Sequence, residues 1–142
     1  MATVFTRIIR GELPGRFVWK DDKAVAFLTI NPIRPGHTLV VPRKEIDHWL
    51  DLPESLLTHL SGVAQSVGQG IQEVFRPVKV GMIIAGLEVP HVHLHLIPVR
   101  NLGDFDFSKA DKNPDGKAMD HAAAQIRAAL HAAGHAQARD LT

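Results

Sequence analysis

The stretch Pro90-His91-Val92-His93-Leu94-His95-Leu96-Ile97-Pro98 decides the fold. Its pattern has a period of two. In an extended strand, alternate side chains share a face. His91, His93 and His95 therefore line one side, and Val92, Leu94 and Leu96 line the other. The apolar side is expected to pack on a core. The histidine side is expected to face a cleft or solvent. A strand is expected over residues 91–99. Three imidazoles serving only as core would need three sets of hydrogen-bond partners, so the row reads as a functional one.

Working outward, residues 78–85 form a second expected strand, joined to the first through Gly86-Leu87-Glu88-Val89-Pro90. Before it, Leu56, Leu60, Val63, Val67, Ile71 and Val74 recur at three- and four-residue steps, which predicts a helix over residues 53–75. Gly62, Gly68 and Gly70 in that helix mark candidate points of close helix-to-sheet packing. His37-Thr-Leu-Val-Val-Pro42 is a short β-branched strand stopped by proline. Two apolar runs around Asp21-Asp22 predict a β-hairpin, residues 17–20 and 24–28. Residues 4–10 form a short helix or turn ended by Gly11. Downstream, residues 100–116 are polar and read as a long surface loop, followed by an alanine-rich helix over 117–133 with Gly134 as its C-terminal cap. Strands interrupted by two main helices give an α+β fold with a mostly antiparallel sheet. One domain over residues 1–142 is expected, with its core in 4–98 and a C-terminal loop and helix in 99–142.

Composition narrows the function. The formal net charge is +1. That is no footprint for nucleic acid, which calls for a basic face. No cysteine is present, which excludes disulfides, thiolate metal sites and a cysteine nucleophile. The opening segment has no apolar run of signal-peptide length. No run of 18 or more apolar residues exists, so no membrane span is expected. A cytoplasmic location is the simplest expectation.

Two chemistries compete for the histidine row. Metal binding favours imidazole, with Zn–N near 2.0–2.1 Å. His91 and His95, however, lie about 13 Å apart along a strand at roughly 3.3 Å per residue. At most two of the three would share an ion, as His91–His93 or His93–His95, and the next ligand must come from elsewhere. Nucleophilic and acid–base catalysis fits the spacing better. One imidazole attacks while its neighbours fix its tautomer or donate to anionic oxygens. Phosphorus suits such a nucleophile, and histidinium and backbone N–H groups stabilise phosphoryl oxygens.

The chain resembles the histidine triad (HIT) family. His91-Val-His-Leu-His-Leu-Ile97 matches that family's His-φ-His-φ-His-φ-φ signature, φ being apolar. Pro32-Ile-Arg-Pro-Gly-His37-Thr-Leu-Val-Val-Pro42 matches its upstream histidine strand, and residues 4–14 match its opening φ-F-x-x-I-I-x-G-E-φ-P. The resemblance spans about residues 4–98. It implies a five-stranded antiparallel sheet, a homodimer, no cofactor, and a nucleotide or other phosphate-containing small molecule bound beside the row. It implies hydrolysis of a nucleotide phosphoramidate or (di)nucleoside polyphosphate at the α-phosphorus, with His93 as the transiently nucleotidylated nucleophile. His95 would hydrogen-bond the α-phosphate or bridging oxygen, and His91 and His37 would orient and tune His93. Nucleotidyl transfer is the related activity. A nucleotide-binding regulatory module with little turnover is the alternative.

The chain departs from the family at its periphery. Many relatives hold a structural zinc with Cys-x-x-Cys near the start and a histidine after Pro-Lys-Lys. Thr3, Thr6 and Glu45 stand at those positions, so that site is expected to be absent. Thr29 stands where relatives carry a ribose-binding aspartate. Val80-Gly81-Met82 replaces Asn-x-Gly. Gly86-Leu87-Glu88-Val89 replaces Gly-Gln-Ser-Val. Leu87 cannot donate to phosphate through its side chain, and Glu88 would repel an anion unless protonated, paired or turned away. The carboxylate has two other uses: holding a histidine, or accepting a proton from a substrate amine. Phe27, Leu28 and Ile30 are candidates for a base pocket and equally for core. With Thr29, Leu87, Glu88 and Val89 they complete the expected substrate frame.

Overall fold

Why the hairpin forms where it does is visible at Asp21. Its carboxylate accepts the Lys23 and Ala24 N–H groups at 2.8 Å each and so closes the turn. This joins β1 (Phe17–Lys20) to β2 (Ala24–Leu28), the expected boundaries. The computed structural model describes residues 1–138 and 141. The expected single domain over 1–142 includes 139, 140 and 142, which lie outside the described residues.

The remaining strands are β3 (Thr38–Pro42), β4 (Lys79–Ile83) and β5 (Leu94–Val99), all antiparallel in the order β1-β2-β3-β5-β4. The helices are α1 (Val4–Ile9), α2 (Glu54–Phe75) and α3 (Gly116–Ala132). The α+β class and the five-stranded antiparallel sheet are as expected.

Strand alternation sorts the core into two layers. Ala24, Ala26, Leu28, Val40, Leu94 and Leu96 face α2 and α3, where Leu60, Val63, Val67, Ile71, Ile126 and Leu130 cover them. Burial of each such aliphatic side chain contributes roughly 1.5–3 kcal/mol. Val25, Phe27, Leu39 and Val41 face the other way and pack with Phe5, Ile8 and Phe17. Of the helix glycines, Gly68 faces Val80 on β4, Gly70 faces Leu130 on α3, and Gly62 has open space. The close approach at Gly70 is thus helix to helix.

Three expectations are corrected. First, the strand expected over 91–99 begins only at Leu94. The His91 N–H donates to the Val89 carbonyl and the Val92 N–H to the Ile46 carbonyl. The chain bends at His91 and joins the ladder only at Leu94. Second, residues 100–116 hold two 3₁₀ turns, Leu102–Phe105 and Phe107–Lys109, capped by the Asn101 and Asp106 side chains. Phe105 lies against Gly81, where an added Cβ would stand 2.3 Å from its ring. Third, the histidine side does not face bulk solvent. His91, His93 and His95 are all buried, because Phe5 of α1 and Phe107 of the second 3₁₀ turn pack edge-on against their rings.

Candidate active site

β5 and the residues just before it carry the three histidines, and the turn before β3 brings His37 to them. The four imidazoles form two hydrogen-bonded systems. In one, the Ile33 N–H donates to His37 Nδ1 at 3.1 Å. His37 Nδ1 is therefore unprotonated, and the neutral ring carries its proton on Nε2. That proton is donated to His95 Nδ1 at 2.9 Å. Neutral His95 is consequently protonated on Nε2.

The second system runs through His91. Its Nε2 faces the Pro42 carbonyl at 2.8 Å. A carbonyl only accepts, so Nε2 carries the proton and Nδ1 accepts from the Thr3 hydroxyl at 2.7 Å. His93 Nδ1 lies 2.7 Å from the His91 carbonyl and must donate to it. The proton of His93 is thus fixed on Nδ1, and the Nε2 lone pair is left free. Among the described residues no side chain or backbone group engages Nε2 of His93 or of His95. The His93 and His95 rings are 4.8 Å apart. The result is a bare nitrogen beside a protonated one, both on neighbouring buried rings.

Burial keeps these rings neutral. It lowers the pKa of His37 to about 4, with the charge of His93 adding to the effect. It lowers His95 to about 3, reinforced by His93 and His37. His91 and His93 shift the same way for the same leading reason. For His91 the bond to Pro42 and the charge of Glu45 oppose the shift. For His93 the His91 carbonyl and the charge of Glu88 oppose it. Desolvation penalises the charged imidazole, so His93 is available as a free base at neutral pH.

Two residues missed by the sequence reading wall this row. Phe5 of α1 stands edge-on to His93 at 4.8 Å and to His91 at 5.8 Å. Phe107 stands edge-on to His95 at 4.9 Å. Phe5 is the F of the opening motif read over residues 4–14, which is the signal for it; Phe107 carries no motif of its own. The anchor of His37, the Ile33 N–H, is backbone and has no side-chain signal.

The expected substrate frame is only partly gathered. Phe27 is on the histidine face, stacked edge-on with Phe5 and Phe17. Leu28, its neighbour, faces the helices and is 4% exposed within that core, because adjacent strand residues point to opposite faces. It is core and no part of a base pocket. Thr29 is half-buried and its N–H donates to the His37 carbonyl at 3.3 Å. Ile30 and Leu87 are exposed. Val89 is half-buried against the aromatic cluster. Glu88 is exposed, and its charge acts on His93.

Thr3, Thr6 and Glu45 do converge beside His91. The Thr3 N–H and the Thr6 hydroxyl both donate to Glu45 Oε1 at 2.7 Å. These bonds hold Glu45 at about 2. The donor set does not suit zinc. Two of its members are hydroxyls, one is a carboxylate already saturated on the facing oxygen, and both His91 nitrogens are engaged. Zinc sites are built from thiolate, imidazole and carboxylate.

Comparison with known proteins agrees with this geometry. The family model described as HIT domain matches residues 10–102. An uncharacterized HIT-like protein of Methanocaldococcus jannaschii is 38% identical over 111 residues, covering 75% of this chain and 84% of the relative. A Zn-bound histidine triad family protein from Mycobacterium smegmatis superposes with a TM-score of 0.80 at 27% identity, covering 94% of this chain and 96% of that one. A hypothetical histidine triad nucleotide-binding protein from Sulfolobus tokodaii superposes equally well, TM-score 0.80, at 29% identity over 90% of this chain and 91% of that one. No described helix is long and apolar enough to cross a membrane. With its triad motif, its sheet order and these relatives in agreement, the chain belongs to the HIT, or histidine triad, family.

Proposed function

We propose that the protein hydrolyses a nucleotide phosphoramidate or a (di)nucleoside polyphosphate at the α-phosphorus. The observation that carries this reading is the tautomer pair: His93 presents a bare Nε2, and His95 a protonated one. In the first step the His93 lone pair forms a bond to the α-phosphorus and the bond to the leaving group breaks; a phosphate departs as the anion, an amine after taking up a proton from solvent on its nitrogen. The His95 Nε2–H donates a hydrogen bond to the α-phosphate or bridging oxygen as charge develops there. A nucleotidyl-histidine remains. In the second step water attacks phosphorus and releases its proton to solvent, the P–N bond breaks with its electron pair returning to His93 Nε2, and a nucleoside monophosphate leaves. An alcohol or phosphate in place of water would make the same site a transferase. His91 and His37 orient the two working rings.

Phe27, Thr29, Ile30, Leu87, Glu88 and Val89 frame the nucleotide in this reading, with no cofactor and no metal. We take residues 1–142 as one folding unit and its location as cytoplasmic. We also take it as a homodimer. Among the described residues β4 pairs with β5 only and is an open edge of the sheet, with Val78 just before it and Met82 within it exposed. Sedimentation as a monomer at micromolar concentration would remove the dimer.

The test is hydrolysis in ¹⁸O-labelled water. Attack at the α-phosphorus places one labelled oxygen on the nucleoside monophosphate, and His93→Asn abolishes turnover. Tight AMP binding with no turnover of any phosphoramidate or polyphosphate would replace the enzyme by a nucleotide-binding regulatory module. The negative charge of Glu88 near His93 is the feature that favours that second reading.

A further inference from the structure

Thr3 lies at the crossing of three segments distant in sequence. Its hydroxyl accepts the Thr6 N–H at 3.2 Å, capping α1. The same hydroxyl donates to His91 Nδ1. Its backbone N–H donates to Glu45 Oε1, which the Thr6 hydroxyl also reaches. The chain leaving β3 grips the triad segment at two further points. The Pro42 carbonyl accepts from His91 Nε2, and the Ile46 carbonyl accepts the Val92 N–H at 2.8 Å. His91 is therefore held by both ring nitrogens and by its own N–H on Val89. Its carbonyl, so fixed, accepts from His93 Nδ1.

We propose that Glu45 is a positioning residue: it anchors Thr3, Thr3 holds His91, and the His91 carbonyl so fixed keeps His93 in its Nδ1–H tautomer. The positions that the family resemblance assigns to a structural zinc are thus occupied by a hydrogen-bonded knot that ends on His91. Which imidazole nitrogen carries the proton is set by the bond that the other makes. Releasing Glu45 loosens the α1 cap, and with it both the Thr3 hydroxyl on His91 and the Phe5 wall on His93. Glu45 touches neither reacting ring. This proposal rests on the reading of His93 as nucleophile for its consequence, but the tautomer it predicts is measurable without any substrate.

The experiment is ¹⁵N NMR of the histidine rings in the full chain at neutral pH. His93 in the parent is expected to be protonated on Nδ1. Glu45→Ala and Thr3→Val are expected to mix in the Nε2–H form. Glu45→Gln, whose amide oxygen still accepts from Thr3 and Thr6, and Thr3→Ser, which keeps the hydroxyl, are expected to retain the parent signal. Since Glu45 is exposed, Glu45→Ala leaves the core intact, and its urea midpoint checks this. With a turnover substrate, kcat in Glu45→Ala falls about tenfold, the worth of one hydrogen bond, while KM stays within about twofold. A parent-like His93 signal in both Glu45→Ala and Thr3→Val overturns the proposal and leaves the hydrolase reading standing. A shifted signal together with full activity in His93→Asn confirms the positioning and removes the nucleophile reading instead.

Discussion

Acidification from pH 7 to pH 5 attacks this fold through its histidines before any carboxylate is protonated. His37 and His95 have folded pKa values of about 4 and about 3, against 6.5 when exposed. Between those values the unfolded chain holds more protons than the folded one, so stability rises with pH. It is full above pH 6.5, falls as pH drops through that value, and levels off below the folded pKa. At pH 5 each ring contributes a loss of about 2 kcal/mol relative to pH 7, and the two together at most about 4 kcal/mol. His91 and His93 act in the same direction. Asp21 and Glu45 have folded values below their ordinary 3.8 and 4.5, so their contribution is lost only at lower pH. Out of a total stability of about 5–15 kcal/mol, this loss lowers the urea midpoint by about 1–2 M. Equilibrium urea unfolding at the two pH values measures it, with the double variant His37→Asn/His95→Asn as control. The control is less stable throughout but loses much less on acidification. An unchanged midpoint in the parent, or an equally steep loss in the control, would refute the buried neutral pair.

Three further outcomes follow from particular contacts. Leu28→Ala removes a core side chain and costs about 2–5 kcal/mol in thermal or urea unfolding, while KM for any nucleotide stays at the parent value; a raised KM with unchanged stability would return Leu28 to the substrate. Gly81→Ala drives a methyl into the Phe105 ring and costs about 1–3 kcal/mol; a stability equal to the parent would show that the 3₁₀ segment is not seated on β4. Glu88→Gln removes a charge that raises the His93 pKa, so the acidic limb of kcat/KM moves to lower pH and KM for anionic substrates falls; an unmoved limb would place Glu88 away from His93.

Much of the architecture is local and therefore legible in the sequence. The hairpin boundaries follow from Asp21 closing its own turn, and α2 from its three- and four-residue spacing. The alternation around His93 survives although the ladder stops at Leu94: Val92 and Leu94 lie in the core under the helices, and the His93 and His95 rings stand together, 4.8 Å apart. That same alternation already separates Phe27 from Leu28, so the expectation of both in one pocket set aside a rule the sequence supplies. The Asn101 and Asp106 caps are equally readable in residues 100–116. The burial of the histidines is not, since it depends on Phe5 and Phe107, one well before and one after the triad in sequence, folding over it together. Nor is the Thr3–Glu45–His91 knot, whose members are 42 and 88 residues apart from Thr3. Side chains that meet only after the sheet has closed leave no spacing to read.

Whether His93 is the attacking group is read by rapid-quench mass spectrometry during turnover of a slow nucleotide phosphoramidate, followed by peptide mapping. One nucleotidyl adduct per active site is expected, on His93, decaying in water at the rate of turnover. An adduct on His37, His91 or His95, or steady turnover with no adduct at any time, would contradict the His93 assignment.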